Sequence, residues 1–564
     1  MPEDLFHLSI LNEAYLKEQL ITYIGNKRRL LPLIHQALQK SRDNSEQAVF
    51  TDMFAGSGVV SRLARLMGYQ VYSNDWEEYS RILGESHLTL NQNDIPNLFG
   101  SSNSLQELLN EINNLSMPAE EERYMSLYYS PSDEDIQKAD YRVERLFYTR
   151  ENALRIDAIR NYIEYNFPPD STGDKLKIRN LLIGLLLGEC SRHTNTSGVF
   201  KAFHKGFGGH GKDALQRILK TIELPYPVLP ENAAPARVFR TDANDLVRSD
   251  ELPDADVTYM DPPYNQHQYG SNYHILNTIA LWDKIPAPMI LNEKGILKEK
   301  AAIRKDWIKT RSSYCYKNKA SEAFSELLKN TRSKRILISY SNDGVIPFET
   351  MMNICEEKGK ISIISNEYTK YRGGRQSNHR LHSNIEFVMA VDTGLPSNTY
   401  SRNKIRKILL LRELALMEKK VYKINSLAQA FGDLTGCEIN LIYSGNPLRL
   451  NLKQSLFLTI ESNLKNWSSS SLKKLLYLLE SCACKSRTEE LKQIFSIIEK
   501  SGPQPAILKK ELPRRIRMLA HKKTKAEYRE ILTQLDNLRM KHDMSSIDRE
   551  LDQIKIQAEK RFEE

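Results

Sequence analysis

At 564 residues, 40% hydrophobic and 27% charged, the chain has the length for two or three domains and the composition of a soluble globular protein. No apolar run approaches a membrane span, no signal-peptide pattern opens the chain, and the six scattered cysteines offer no zinc spacing, so a reduced, cytoplasmic protein without a structural metal is expected. The net charge of +9 is uneven: residues 401–564 hold 32 basic and 20 acidic side chains, which leaves the first 400 slightly acidic.

Residues 1–20 read as an N-terminal arm. A short strand signal at 48–50 runs into Thr51-Asp52-Met53-Phe54-Ala55-Gly56-Ser57-Gly58, followed by a helical pattern over 59–67. Glycines at a strand-to-helix turn let backbone approach a ligand closely. Ser61 stands where a dinucleotide fingerprint would carry its third glycine. The next strand, 69–73, ends at Asn74-Asp75, and an acid there is placed to accept bonds from ribose hydroxyls. Together they indicate a nucleoside cofactor without a diphosphate; the alternative is an ordinary tight turn followed by a surface acid. Residues 91–235 then leave the sheet, with helical patterns over 144–165 and 175–189 and a polar, glycine-rich loop over 195–211.

Strand signals return at 238–240 and 257–260, and the second ends in Asp261-Pro262-Pro263-Tyr264. The prolines hold the turn extended, leaving an acid, a carbonyl and a ring facing one cleft, groups suited to gripping the amine of a planar base. Further strands are expected at 335–341, 360–364 and 385–391, the last two as an antiparallel pair. The fold class is α/β, a Rossmann-like sheet. Its catalytic domain covers 21–90 and 236–397, with 91–235 inserted. Beyond about residue 397 the signal is almost wholly helical, so 398–564 reads as a basic, mostly helical C-terminal domain.

In that order, Tyr23-Ile24-Gly25-Asn26-Lys27-Arg28, Phe54-Ala55-Gly56-Ser57-Gly58 and Asp261-Pro262-Pro263-Tyr264 resemble the alpha-class DNA N6-adenine methyltransferases, the Dam-like and restriction-modification methylases. The likeness spans roughly residues 20–392. It implies a class I methyltransferase using S-adenosyl-L-methionine. Asp261 and the Pro262 carbonyl would accept the hydrogens of adenine N6, and Tyr264 would stack on the flipped base. Tyr23, Phe54, Ala55, Gly56, Gly58 and Asp75 would hold the cofactor. Asp242 would take its adenine amine, with Asp245 as the competing alignment. Asp52 would either face the methionine ammonium or cap the turn. Lys27 would either sit near the cofactor carboxylate and the Asp-Pro-Pro turn or lie on the surface. His274 is expected on a helix surface.

The resemblance also implies a duplex DNA partner, read mainly by the insertion through Asn195, Thr196, Lys201, His204 and Lys205, with His210 and Lys212 extending the loop. A second basic loop, with Arg372 and Arg375, would clamp the DNA. In the tail, a helix over 514–525 would gather Arg514, Arg517 and Lys525, either as a phosphate-tracking surface or as an ordinary solvated face. A restriction endonuclease encoded nearby is the expected companion, and the chain is a monomer or homodimer. Competing readings are cytosine N4 methylation, RNA base methylation, or a DNA-binding regulator on an inactive methylase fold.

Overall fold

The computed structural model describes residues 10–41, 48–209, 211–341, 344–364, 386–432, 438–453, 457–502 and 511–563. Arg372, Arg375 and His210 lie outside them, as do Lys509 and Lys510 of the tail. The chain divides into two compact units, with the break between Ser401 and Arg402.

The first unit is built on a seven-stranded sheet: β1 (Val49–Asp52), β2 (Gln70–Asn74), β3 (Ala236–Phe239), β4 (Ala255–Met260), β5 (Ser333–Ser341), β6 (Lys360–Ile364) and β7 (Glu386–Asp392). Their order across the sheet is β3-β2-β1-β4-β5-β7-β6. The first five run parallel, and β7 lies antiparallel between β5 and β6. Every strand signal found in the sequence has its counterpart here. The central strands are short apolar runs because both faces are covered. On one face, α1 (Ile10–Lys17), α2 (Leu31–Gln39) and α3 (Val59–Leu66) place Leu16, Ile34 and Leu63 in one core with Phe50, Val71, Val257 and Leu337.

Beside α3 lies α4 (Glu78–Leu88), and the insertion packs on it through α6 (Gly173–His193), against which α5 (Arg150–Asn166) packs in turn. Thr149 caps α5 by accepting the Asn152 amide, so the helix starts later than the apolar pattern from 144 suggests. At Gly184 of α6, an added Cβ would lie 2.2 Å from the Ser86 hydroxyl of α4, so only glycine permits this close approach. Ile82, Ile159, Leu182, Ile275 and Ile279 share one core, the last two from α7 (His274–Leu281). The insertion therefore shares its core with α4 and α7.

The second unit is mostly helical but contains an antiparallel sheet that helical periodicity concealed: β8 (Glu438–Tyr443), β9 (Asn446–Lys453) and β10 (Phe457–Ile460). The Ser444-Gly445 pair between β8 and β9 takes positive φ at both residues (47° and 77°), as a two-residue hairpin turn requires. The expected helix over 514–525 is also two pieces. The helix Leu512–Leu519 ends at Ala520, and a new one begins at Lys525 after a 3-10 turn. Arg515 is buried against Glu490 and Glu511, Arg517 pairs with Glu550 at 2.8 Å, and Lys525 lies over the Phe562 ring. Arg514 is exposed, with Glu511 3.9 Å away, so Arg514, Arg517 and Lys525 do not gather on one helix as expected.

Candidate active site

The tips of β1, β2 and β3 converge on one cleft, which the turn after β4 completes. Asn74, at the end of β2, staples them: its amide donates to the Met53 and Thr241 carbonyls and accepts from the Thr241 amide, all at 3.2 Å. The glycine loop is stitched to its neighbours by Met53 N–H to Tyr259 O (3.1 Å) and Ala55 N–H to Asn74 O (2.8 Å). Gly56 has φ +54°, and a Cβ there would stand 2.6 Å from the Tyr23 ring, so conformation and contact both demand glycine.

Asp75 faces the cleft, with one carboxylate oxygen accepting the Gly56 amide (2.8 Å) and the other the Glu77 amide (3.0 Å). Burial raises its carboxyl above the ordinary range, opposed by these bonds. Across the cleft, Asp242 caps a short helical turn by accepting the Asn244 amide at 2.8 Å. Asp245 is exposed and paired with Arg248, so of the two acids Asp242 is the one that lines the cleft. Tyr23, Phe54, Trp76, Tyr269 and Tyr314 supply flat apolar walls. Tyr23 is fixed by stacking on Tyr273 with centroids 4.9 Å apart, and Phe54 meets Tyr314 edge-on at 5.1 Å.

Asp261, Pro263 and Tyr264 form the mouth of the same cleft. Pro262 is buried behind the turn and has only its backbone carbonyl to offer. Lys27 is 4% exposed and reaches Asp261 at 3.0 Å, with its ammonium 5.1 Å from the Tyr264 ring centroid. It stands on a 3-10 turn whose cap, Asn26, accepts the Arg28 amide, and the preceding Gly25 (φ +78°) leaves room for the Tyr264 hydroxyl. Lys27 is thus no surface lysine: the Tyr23–Arg28 segment folds directly against the catalytic turn. Tyr264 both lines the cleft and packs edge-on against Tyr340.

Several candidate residues sit elsewhere. Asp52 is 1% exposed behind the loop, where it accepts the Ser61 hydroxyl at 2.7 Å. Burial, with the Asp261 and Asp75 charges adding, pushes its carboxyl up to about 7. It braces the turn from behind and does not line the cleft. Ala55 and Gly58 shape the loop without lining the cleft. Asn195 is fully buried, its amide donating to the Leu146 and His204 carbonyls and accepting from Gly208. Thr196 is also buried, accepting the Gly198 amide. Both therefore leave the DNA-facing set; Asn195 instead pins the loop that exposes Lys201 and Lys205 and half-exposes His204. Lys205 lies over the Tyr141 ring. His274 is no surface residue: it is buried, bonded to the Phe200 carbonyl at 2.9 Å, and burial pushes it down to about 3.

Sequence reasoning missed Trp76, Glu77, Thr310, Ser312 and Tyr314, all on the cleft wall. The first two follow Asp75 directly and could have been inferred from that position. Thr310–Tyr314 belongs to a stretch without periodicity, and nothing local marks it. Glu77 accepts the Asn277 amide (2.6 Å) and the Thr310 hydroxyl (3.0 Å); burial, with the Asp75 charge adding, pushes it up to about 7.

A mostly parallel sheet with a glycine loop on its first tip, an acid on its second and an acid-aromatic turn on its fourth defines a nucleoside-cofactor enzyme of the class I methyltransferase type. Residues 23–354 match the D12 class N6 adenine-specific DNA methyltransferases, and the chain belongs to that family. It is 28% identical to the modification methylase StsI of Streptococcus sanguinis over 78% of its own length and 63% of that protein. Similarity to the type II methyltransferase M.FokI of Planomicrobium okeanokoites is also 28%, over 78% and 64% of the two chains. It is 30% identical to the type II methyltransferase M.NlaIII of Neisseria lactamica over 65% of its own length and 98% of that protein. The chain thus spans just under two thirds of the length of the first two relatives.

Proposed function

We propose that this protein methylates adenine N6 within a specific duplex DNA sequence, as the cytoplasmic modification partner of a restriction endonuclease. The observation that carries the reading is the sharing of one cleft by Asp75 and Asp242 with Asp261 and Tyr264, the last two braced by buried Lys27. The cleft, with Asp75 and Asp242 on its walls among Tyr23, Phe54, Trp76 and Tyr314, fits an adenosyl group bearing an amino acid. S-adenosylmethionine, when bound, supplies an electrophilic methyl.

The chain's own residues do the rest. Asp75 accepts ribose hydroxyls and Asp242 the cofactor's adenine amine. Asp261 and the Pro262 carbonyl accept the two hydrogens on the target nitrogen, localising a lone pair that the purine ring otherwise delocalises. Tyr264 stacks on the extruded base, and Lys27 fixes the orientation of the Asp261 carboxylate. No enzyme nucleophile takes part, so rate comes from positioning and electrostatics. Lys201, His204 and Lys205 would meet the duplex, where base edges or phosphates fit their charge.

Transfer of tritiated methyl from S-adenosylmethionine into duplex DNA, followed by nucleoside analysis, tests this directly. N6-methyladenine is expected. Label in N4-methylcytosine, label only in RNA, or no transfer would each overturn the assignment.

A further inference from the structure

Between α7 and the cleft-lining residues Thr310 to Tyr314, the chain makes an excursion that the proposed chemistry does not use. Its neck is closed by buried Arg304, which bonds Asp283 at 2.7 Å and Asp306 at 2.6 Å. Further out, fully buried Arg145 of the insertion donates to the Pro288 carbonyl (2.7 Å) on the outgoing leg and the Glu299 carbonyl (3.1 Å) on the returning leg. The tip is a hairpin: Lys298 N–H bonds Ile290 O (2.9 Å), Asn292 N–H bonds Ile296 O (2.8 Å), and Gly295 turns the chain at φ +67°. The Asn292 side chain accepts the Lys294 and Ile296 amides and locks that turn. An excursion tied at three levels is a rigid projection.

What it projects is apolar. Met289, Ile290 and Leu291 are 39%, 55% and 44% exposed, three consecutive large side chains facing water. Such a run on a rigid support marks an interaction surface more than a packing accident. Its surroundings select the partner. Residues 283–311 hold eight basic and four acidic side chains, within a first 400 residues that are net acidic. Setting aside Arg304 with the two acids it bonds, Asp283 and Asp306, leaves seven basic side chains against the exposed Glu293 and Glu299. Lys294, Lys298 and Lys300 stand exposed beside the apolar tip. An apolar wedge between cations fits a partner with anions outside and an apolar stack inside, which is duplex DNA.

We propose that the hairpin around Asn292 is a second DNA-contacting element, pressing Ile290 and Leu291 against a base step while its lysines hold the flanking phosphates. This rests on the DNA methylase reading and deepens it, since separating a base step lowers the cost of extruding a neighbouring base.

The test uses the full-length chain and a closed circular plasmid relaxed by a topoisomerase in its presence. Wild type is expected to lower the linking number, because wedged base steps unwind. Ile290→Ser/Leu291→Ser should lose at least two thirds of that shift while keeping its affinity for linear duplex within about tenfold and its melting temperature, both side chains being exposed. Lys294→Gln/Lys298→Gln should weaken binding and reduce the salt slope by roughly 2, at about 0.9 per phosphate contact. An unchanged linking number with wild type, or an equal shift from the serine variant, overturns the proposal. A serine variant that only changes the oligomeric state assigns the tip to a second copy of the chain and also overturns it. The two readings fail separately: a wild type that methylates but does not unwind sinks only the wedge, and one that transfers no methyl sinks the function.

Discussion

Replacing Asp75 by alanine acts twice, because both its oxygens already accept backbone amides. One takes the Gly56 amide at 2.8 Å and the other the Glu77 amide at 3.0 Å, while the carboxylate as a whole faces the cleft. Each oxygen has a second lone pair for a ribose hydroxyl. Hydrogen bonds to a charged acceptor are worth about 1.5–3 kcal/mol apiece, so losing two ribose contacts costs at least about 3 kcal/mol, or at least about 100-fold in cofactor affinity. The glycine loop loses its tie to the second strand tip as well, which adds to the loss of affinity and lowers the melting temperature. Ribose is held about equally in ground and transition states, so turnover at saturating cofactor should fall far less than affinity. Asp75→Asn retains one acceptor oxygen and should fall between alanine and wild type. Titration calorimetry with S-adenosylmethionine measures each Kd. An alanine variant that is folded and binds within threefold of wild type would refute the reasoning.

Asp261→Asn should reduce methyl transfer by about a thousandfold or more at near-normal cofactor affinity, since it removes an acceptor strengthened in the transition state; retention of a tenth of wild-type activity would remove Asp261 from the chemistry. Glu77, pushed up to about 7, holds a proton in the folded state that the unfolded chain releases above about pH 4.5, so folding takes up a proton between those values and stability falls as pH rises through them. Glu77→Gln lacks that slope, and its unfolding free energy from urea titration should gain on wild type by about 3 kcal/mol between pH 4.5 and 8; parallel profiles would contradict this. Asn195→Ala, stripping the anchor from the buried Leu146 carbonyl and the part-buried His204 carbonyl, should cost about 2–4 kcal/mol in urea unfolding without changing the methylated sequence, whereas Lys201→Gln/Lys205→Gln should leave stability alone and flatten the salt dependence of DNA binding. Arg515→Ala should cost about 3–5 kcal/mol in the same unfolding assay, because it strands buried Glu511 and half-buried Glu490; a loss under 1 kcal/mol would mean that solvent reaches the pair.

Features encoded by a few consecutive residues were legible in the sequence. Phe54–Gly58 dictates a glycine turn through its own φ angles, Asp75 ends an apolar run at a strand tip, and Asp261–Tyr264 extends from β4 because its prolines allow little else. The central strands of the large sheet were readable for the same reason, being short apolar runs covered on both faces, whereas edge strands β3 and β6 expose Arg237 and Ser362. Tertiary structure decided whatever depends on what lies across the fold. Lys27 became the partner of Asp261, and Asn195 and Thr196 turned inward. Asp52 went behind its loop, while Thr310 and Tyr314 were carried to the cleft from a stretch without pattern. In the tail, the apolar spacing that reads as helix also fits the alternating, half-buried strands β8 to β10, and only packing separates the two. Burial and pairing belong to the neighbour as much as to the residue, and the neighbour is chosen by the fold.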